Sequence, residues 1–194
     1  MVRVLFAGWI AVCAAVGLFA PAPAQDSPAA GTPDDRIPGL MVYEVESAMH
    51  RRGAIPYDVI PPAGGEHHPI WQDCGFYQEP IRDRHAVHSQ EHGAVWVTYD
   101  PALDGEQLAL LEQIAAENPY VLASPYQDLP SPLVASAWGA QLYLDSADDP
   151  RLFLFLREFI GAGPEPGAAC TDGTSNTVTF PAGTPVATPA ATPG

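Results

Sequence analysis

All six histidines of this chain, His50, His67, His68, His85, His88 and His92, fall between positions 50 and 92 of 194 residues. Such clustering asks for a cause. Imidazole is the commonest protein ligand for zinc, copper and nickel, and in an oxidising compartment it is the main strong ligand left once thiols pair. The string His88-Ser-Gln-Glu91-His92-Gly93 is an H-x-x-E-H pattern. On a helical turn its i, i+4 spacing sets both imidazoles on one face with Glu91 beside them. His67 and His68 follow Pro61-Pro62-Ala63-Gly64-Gly65, a turn-rich loop able to bring a distant side chain to that face. The expected ligand set is therefore His67, His88, His92, Glu91 and His50. Zinc or copper(II) suits it better than copper(I), because Met41 and Met49 are the only thioethers beyond the N-terminal segment. His68 shares a loop with His67 and should point elsewhere, while His85, among Arg82, Asp83 and Arg84, reads as a surface residue. Trp71, Trp96 and Trp138 read as core or groove-lining rings.

Two other readings compete with metal storage, sensing or delivery. H-x-x-E-H over five residues also resembles the inverted zinc peptidase motif, in which Glu91 would be the general base and Glu158 or Glu165 a further ligand. Against it, Gly93 and the strand-like Ala94-Val-Trp-Val-Thr-Tyr99 follow at once, leaving about one turn of helix where a peptidase uses a long one. The third reading is a structural or interaction module of the cell envelope whose histidines make core hydrogen bonds. On balance the pattern leans away from an enzyme, and no catalytic residue is assigned unless Glu91 serves a hydrolase.

The elements that must position these residues read as a small α+β domain, helices packed on a mixed or antiparallel sheet. Asp104 with Gln107 forms a capping-box start, and Leu108, Leu111, Ile114 and Ala115 recur at helical spacing until Pro119. A second helix starts with Asp149 as N-cap and Pro150 at the first position and stops at Gly161. Its apolar residues lie on most sides, so it should be largely buried. Strand signals lie at 93–99, 120–124, 133–138 and 141–144, short runs rich in β-branched and aromatic residues. Met41 to Arg51 is a further helical candidate.

The ends carry different information. Residues 1–24 have one basic residue, an apolar run and an Ala22-Pro23-Ala24 finish, which is the pattern of a cleaved secretory signal peptide; an uncleaved anchor is the alternative. Cys13 lies inside that run. Residues 25–36 read as a disordered linker, 37–170 as the globular domain, and 171–194 as a disordered tail rich in Thr, Pro and Ala. Two cysteines remain, Cys74 and Cys170, which in an extracytoplasmic setting suggest a disulfide, with two buried thiols as the alternative. There are 23 acidic residues against 8 basic ones, all arginine. That balance excludes nucleic acid and anionic membrane surfaces as natural partners and favours cations. No membrane insertion is expected after signal cleavage, and a protein partner is not specified by the sequence.

Longer stretches carry a resemblance. Gly53-Ala-Ile-Pro-Tyr57, Pro61-Pro62-Ala-Gly-Gly65-Glu-His67, Trp71-Gln-Asp-Cys74-Gly75-Phe-Tyr77 and Val87-His88-Ser-Gln-Glu91-His92-Gly93-Ala-Val95 together resemble the bacterial family called domain of unknown function 3105. Ala137-Trp138-Gly139 and Pro164-Glu165 before Cys170 agree with it. The likeness spans roughly residues 40 to 170, with His-x-x-Glu-His-Gly as its most specific element. Ala63-Gly64 and Gln90 depart from the family's usual Thr-Ser and aliphatic residue. The resemblance implies a grouping of His67, His88, Glu91 and His92, and implies no reaction.

Overall fold

The computed structural model describes residues 31–179. The expected signal peptide, Cys13 and the end of the tail lie outside them. Seven strands and three helices form an α+β domain: β1 (Thr32–Asp34), β2 (Leu40–Val42), β3 (Gly75–Phe76), α1 (Asp83–Glu91), β4 (Val95–Tyr99), α2 (Gly105–Glu117), β5 (Val121–Pro125), β6 (Leu133–Ala137), β7 (Ala140–Leu144) and α3 (Pro150–Phe159). They make one mixed sheet in the order β1-β2-β7-β6-β4-β5-β3. β5 runs parallel to both β4 and β3, and the remaining pairs are antiparallel. α2 supplies the crossover that parallel β4 and β5 require.

The helices begin where local chemistry places them. Asp104 accepts from the N–H groups of Glu106 and Gln107, each at 3.0 Å, satisfying two donors that the first turn cannot. The reciprocal half of the capping box is not made: Gln107 turns its Oε1 to the Ala147 N–H at 2.6 Å instead. Asp149 caps α3 through the Arg151 N–H, with Pro150 in the first turn.

The two faces of the sheet differ. Val95, Val97, Val121, Ala123, Leu133, Ala135 and Leu142 pack with Leu111 and Ile114 of α2 and Leu152, Phe155 and Leu156 of α3. α3 is less enclosed than its composition suggests, since Phe153 is 50% exposed. The opposite face carries α1, with Ala86 and Ile81 against Trp96 and Leu122. On that face Thr98, Ser124, Ser136 and Gln141 are also buried. Buried polar groups need partners. Gln141 donates to the Pro61 carbonyl and to Ser136 Oγ, and Trp96 Nε1 donates to Ser124 Oγ at 3.0 Å. The long irregular segment after β2 thus lies over the polar face of the sheet, held by sheet side chains and by Gly139 N–H to Ala63 O at 2.9 Å.

Three sequence expectations are corrected. Met41–Arg51 is not a helix: its start is strand β2, paired with β7 through Met41↔Gln141, and the rest is irregular. The stretch expected as an N-terminal linker contributes β1 over its described part, in a hairpin with β2. The first residues of the expected C-terminal tail are also held, by Asp73 N–H to Thr174 O at 2.9 Å, Thr174 N–H to Trp71 O at 3.0 Å and Val178 N–H to Pro80 O at 2.7 Å. Cys74 and Cys170 form a disulfide, 96 residues apart.

Candidate metal centre

α1 carries the H-x-x-E-H pattern in its last turn, with His92 as C-cap. Its N-cap, Arg82, makes no side-chain capping bond, and its sequence is mostly polar. The helix is fixed by burial: His85, Ala86, Val87, His88, Ser89, Gln90 and Glu91 are all buried. Gln90 Nε2 donates to Pro62 O at 3.0 Å, and Ser89 Oγ donates to Gln72 O at 2.7 Å, so the covering segment is bonded to the helix that it flanks.

His67 reaches the helix from that segment and brings His50 with it. Residues 49–51 and 67 form a short parallel bridge, with Arg51 N–H to His67 O at 2.6 Å and His67 N–H to Met49 O at 3.2 Å. The ring centroids of His50, His67 and His88 stand 4.7 to 4.9 Å apart pairwise. One ligand-type atom from each of His50, His67, His88 and Glu91 lies within 4.8 Å of all the others, and His67, His88 and Glu91 are buried. Glu91 Oε2 is 3.0 Å from His67 Nε2 and 3.8 Å from His88 Nε2. His92 adjoins this group, its Nε2 being 2.9 Å from His88 Nε2. A second set of three, Glu91, His92 and Glu165, meets the same 4.8 Å limit.

Backbone carbonyls fix the tautomers. Nδ1 contacts an oxygen that can only accept in His67 (Gly65 O, 2.8 Å), His88 (His68 O, 2.7 Å) and His92 (Glu165 O, 2.9 Å). Each Nδ1 must therefore carry its proton, and each neutral ring presents a lone pair at Nε2. This is the orientation that carbonyl partners impose on metal-bound imidazoles. In the neutral ring the buried His67 Nε2 has no hydrogen-bond partner, because the atom facing it at 3.0 Å, Glu91 Oε2, is itself an acceptor. Burial, above all, depresses the His88 pKa to about 4, helped by the neighbouring His67, His92 and His50 and opposed by the bond to His68 O. His88 is thus uncharged at neutral pH, with its lone pair available.

Aromatic rings border the cluster. Trp71 presents an edge contact to His88 at 5.4 Å and to His92 at 5.5 Å, and Trp138 to His67 at 5.9 Å. Trp96 belongs to the core. His68 does point away from His67, its ring lying 4.3 Å from that of His85. His85 is not the surface residue that its charged neighbours suggested: it is buried, with Nδ1 bonded to Ile70 O at 2.7 Å. Of the two downstream carboxylates offered for a peptidase-like site, Glu158 is paired with Arg36 at 2.6 Å, whereas Glu165 borders the cluster.

Fold and site together define an α+β domain in which a short helix and a covering loop converge on a histidine and carboxylate cluster. The chain belongs to the family described as protein of unknown function (DUF3105), whose model matches residues 49–172. Neither a curated protein nor a solved structure matches it. The matched span begins just before His50 and ends just after Cys170, enclosing every residue of the cluster.

Proposed function

We propose that this chain is an exported protein that binds a divalent transition metal, zinc or copper(II), through His50, His67, His88 and Glu91, with His92 alongside, as a buffer, sensor or delivery module. The observation that carries the reading is the set of lone pairs. With the rings neutral, Nε2 atoms held by carbonyl-bonded Nδ1 protons and a buried carboxylate converge without the donor that would satisfy them. A cation answers that arrangement, since ligand bonds of about 2 Å leave neighbouring ligand atoms roughly 3 to 4 Å apart. Three imidazoles and a carboxylate suit zinc or copper(II). Glu91 lies among the ligand atoms themselves, which favours a role in holding the ion over one as a free general base. An extracytoplasmic location is supported by the Cys74–Cys170 disulfide and the leader-like N-terminus. Among the described residues no helix is long and apolar enough to cross a membrane.

Elemental analysis of the untagged mature protein tests the reading. Stoichiometric zinc or copper, retained through dialysis and lost in His67→Gln, is the expected result. Protein that carries no transition metal, takes none up and melts at one temperature with zinc, copper(II) or chelator would favour the structural module instead, because an ion bound only by the folded state must stabilise it.

A further inference from the structure

Glu91 faces two ways. Beyond the buried set, its carboxylate lies within 4.8 Å of a ring nitrogen of His92 and a carboxylate oxygen of Glu165. Glu165 comes from the segment after α3, which is pinned against α1. Its N–H donates to Glu91 O at 3.0 Å, and its own carbonyl accepts from His92 Nδ1 at 2.9 Å. Gly163 passes so near that a side chain there would collide with the carbonyls of Gln90 and Glu91. The position of Glu165 beside the motif is therefore built into the backbone.

A second observation points to positive charge at this edge. His88 and His92 both carry the Nδ1 proton, each bonded to a carbonyl, yet their Nε2 atoms stand 2.9 Å apart. Two neutral imidazoles in those tautomers oppose lone pair to lone pair, which is unfavourable unless a proton or metal cations draw on them. A single ion among His50, His67, His88 and Glu91 engages the His88 lone pair and leaves that of His92. With His88 engaged by the inner ion, the donors that form a mutual 4.8 Å set with His92 are the carboxylates of Glu91 and Glu165.

We infer that the domain holds two divalent cations bridged by Glu91, an inner one on His50, His67, His88 and Glu91 and an outer one on Glu91, His92 and Glu165. This rests on the metal-binding reading above and deepens it. Paired ions of this kind stand about 3.5 to 4 Å apart, within the span of one bridging carboxylate. The outer set has one imidazole, and Glu165 is exposed and His92 half-buried. It is the weaker and more exchangeable position, placed where ions are gained from and lost to solvent. A delivery role is served by such a position, whereas three of the four inner ligands are buried and only His50 is exposed.

The mature protein, stripped with chelator, is titrated with copper(II) and followed by elemental analysis and electron paramagnetic resonance. Two ions per chain are expected in the wild type. The first gives full signal intensity, and the second lowers the intensity per copper because carboxylate-bridged copper(II) ions couple magnetically. Glu165→Gln, a change at an exposed side chain, should bind one ion with full signal, and His92→Gln should do the same. One ion in both the wild type and Glu165→Gln would overturn the two-ion centre and leave the inner site standing. Two ions still bound by Glu165→Gln with coupling unchanged would also overturn it. No ion in any of these proteins would overturn both readings.

Discussion

Replacing Glu91 by Gln should act in opposite directions in the ion-free and ion-loaded protein. In the neutral ring that donates Nδ1–H to Gly65 O, His67 turns the Nε2 lone pair to Glu91 Oε2 at 3.0 Å; only a protonated ring could donate from both nitrogens. A Gln amide can donate where the carboxylate cannot. The substitution then gains a buried hydrogen bond of about 1 kcal/mol and removes a buried charge. In chelator, Glu91→Gln should melt above the wild type by roughly 2 to 4 °C for a domain of this size. With zinc at a hundredfold excess over the wild-type Kd, linkage stabilises the wild type by about 2.7 kcal/mol. The variant loses the carboxylate ligand and occupies the His67 lone pair with its amide. If its affinity falls a hundredfold, the same zinc concentration stabilises it by only about 0.4 kcal/mol. The order of melting temperatures should invert, the wild type finishing roughly 1 kcal/mol above the variant. Calorimetric melts of both proteins in chelator and in zinc measure this. A variant less stable than wild type in chelator, or one that gains as much from zinc, would refute the tautomer assignment or the role of Glu91.

Three further outcomes follow from the same geometry. The His88 pKa of about 4 lies below the ordinary value near 6.5, so the unfolded chain binds that proton first. The ion-free domain should hold its full stability above pH 6.5 and lose it between about 6.5 and 4. Burial shifts His68 and His85 the same way. Urea titrations in chelator should show the loss and a shallower one in His88→Asn; stability that stays flat toward acid would contradict it. Removing the Cys74–Cys170 crosslink by a double serine substitution opens a 96-residue separation and should cost roughly 4 to 5 kcal/mol. A loss below about 1 kcal/mol in denaturant titration would show that the crosslink restrains little. Gly163→Ala drives a methyl group against the carbonyls of Gln90 and Glu91. It should destabilise by roughly 1 to 3 kcal/mol and displace Glu165, reducing copper(II) uptake before any loss of the inner set.

Much of the framework was legible because its signals are local. Asp104 and the Asp149-Pro150 pair mark helix starts that need no tertiary partner, and the runs from Val95, Val121, Leu133 and Ala140 are flanked by turn residues. α1 began unannounced because Arg82 makes no side-chain cap, and its polar residues are buried by a covering segment whose path is set elsewhere. His85 was misread for that reason: its charged sequence neighbours project differently from a helix than their adjacency suggests. Met41–Arg51 carries apolar residues at mixed spacing, and the pairing of Met41 with Gln141 decides its start over local preference. Thr32-Pro33-Asp34 has a linker's composition, yet a hairpin partner six to ten positions on turns it into an edge strand. At the site, the convergence of His67 with the H-x-x-E-H turn was readable from motif and loop chemistry. The bridge that sets His50 beside His67 was not, because backbone pairing leaves no mark on residue type. Glu165 was visible only as a carboxylate in the right half of the chain.

The bridge between residues 49–51 and His67 closes the intervening segment into a lobe whose neck is two strands wide. His50 and His67 stand on either side of that neck, so an ion held between them works as a clasp. When the clasp is shut, opening the lobe means breaking ligand bonds as well as Arg51 N–H to His67 O. When it is open, the neck is held by backbone bonds, the Arg51–Glu66 pair at 2.9 Å and the Tyr57 hydroxyl on Glu66 O. An ion bound there should therefore slow protease cleavage within the lobe, and equal cleavage rates in zinc and in chelator would argue against the clasp.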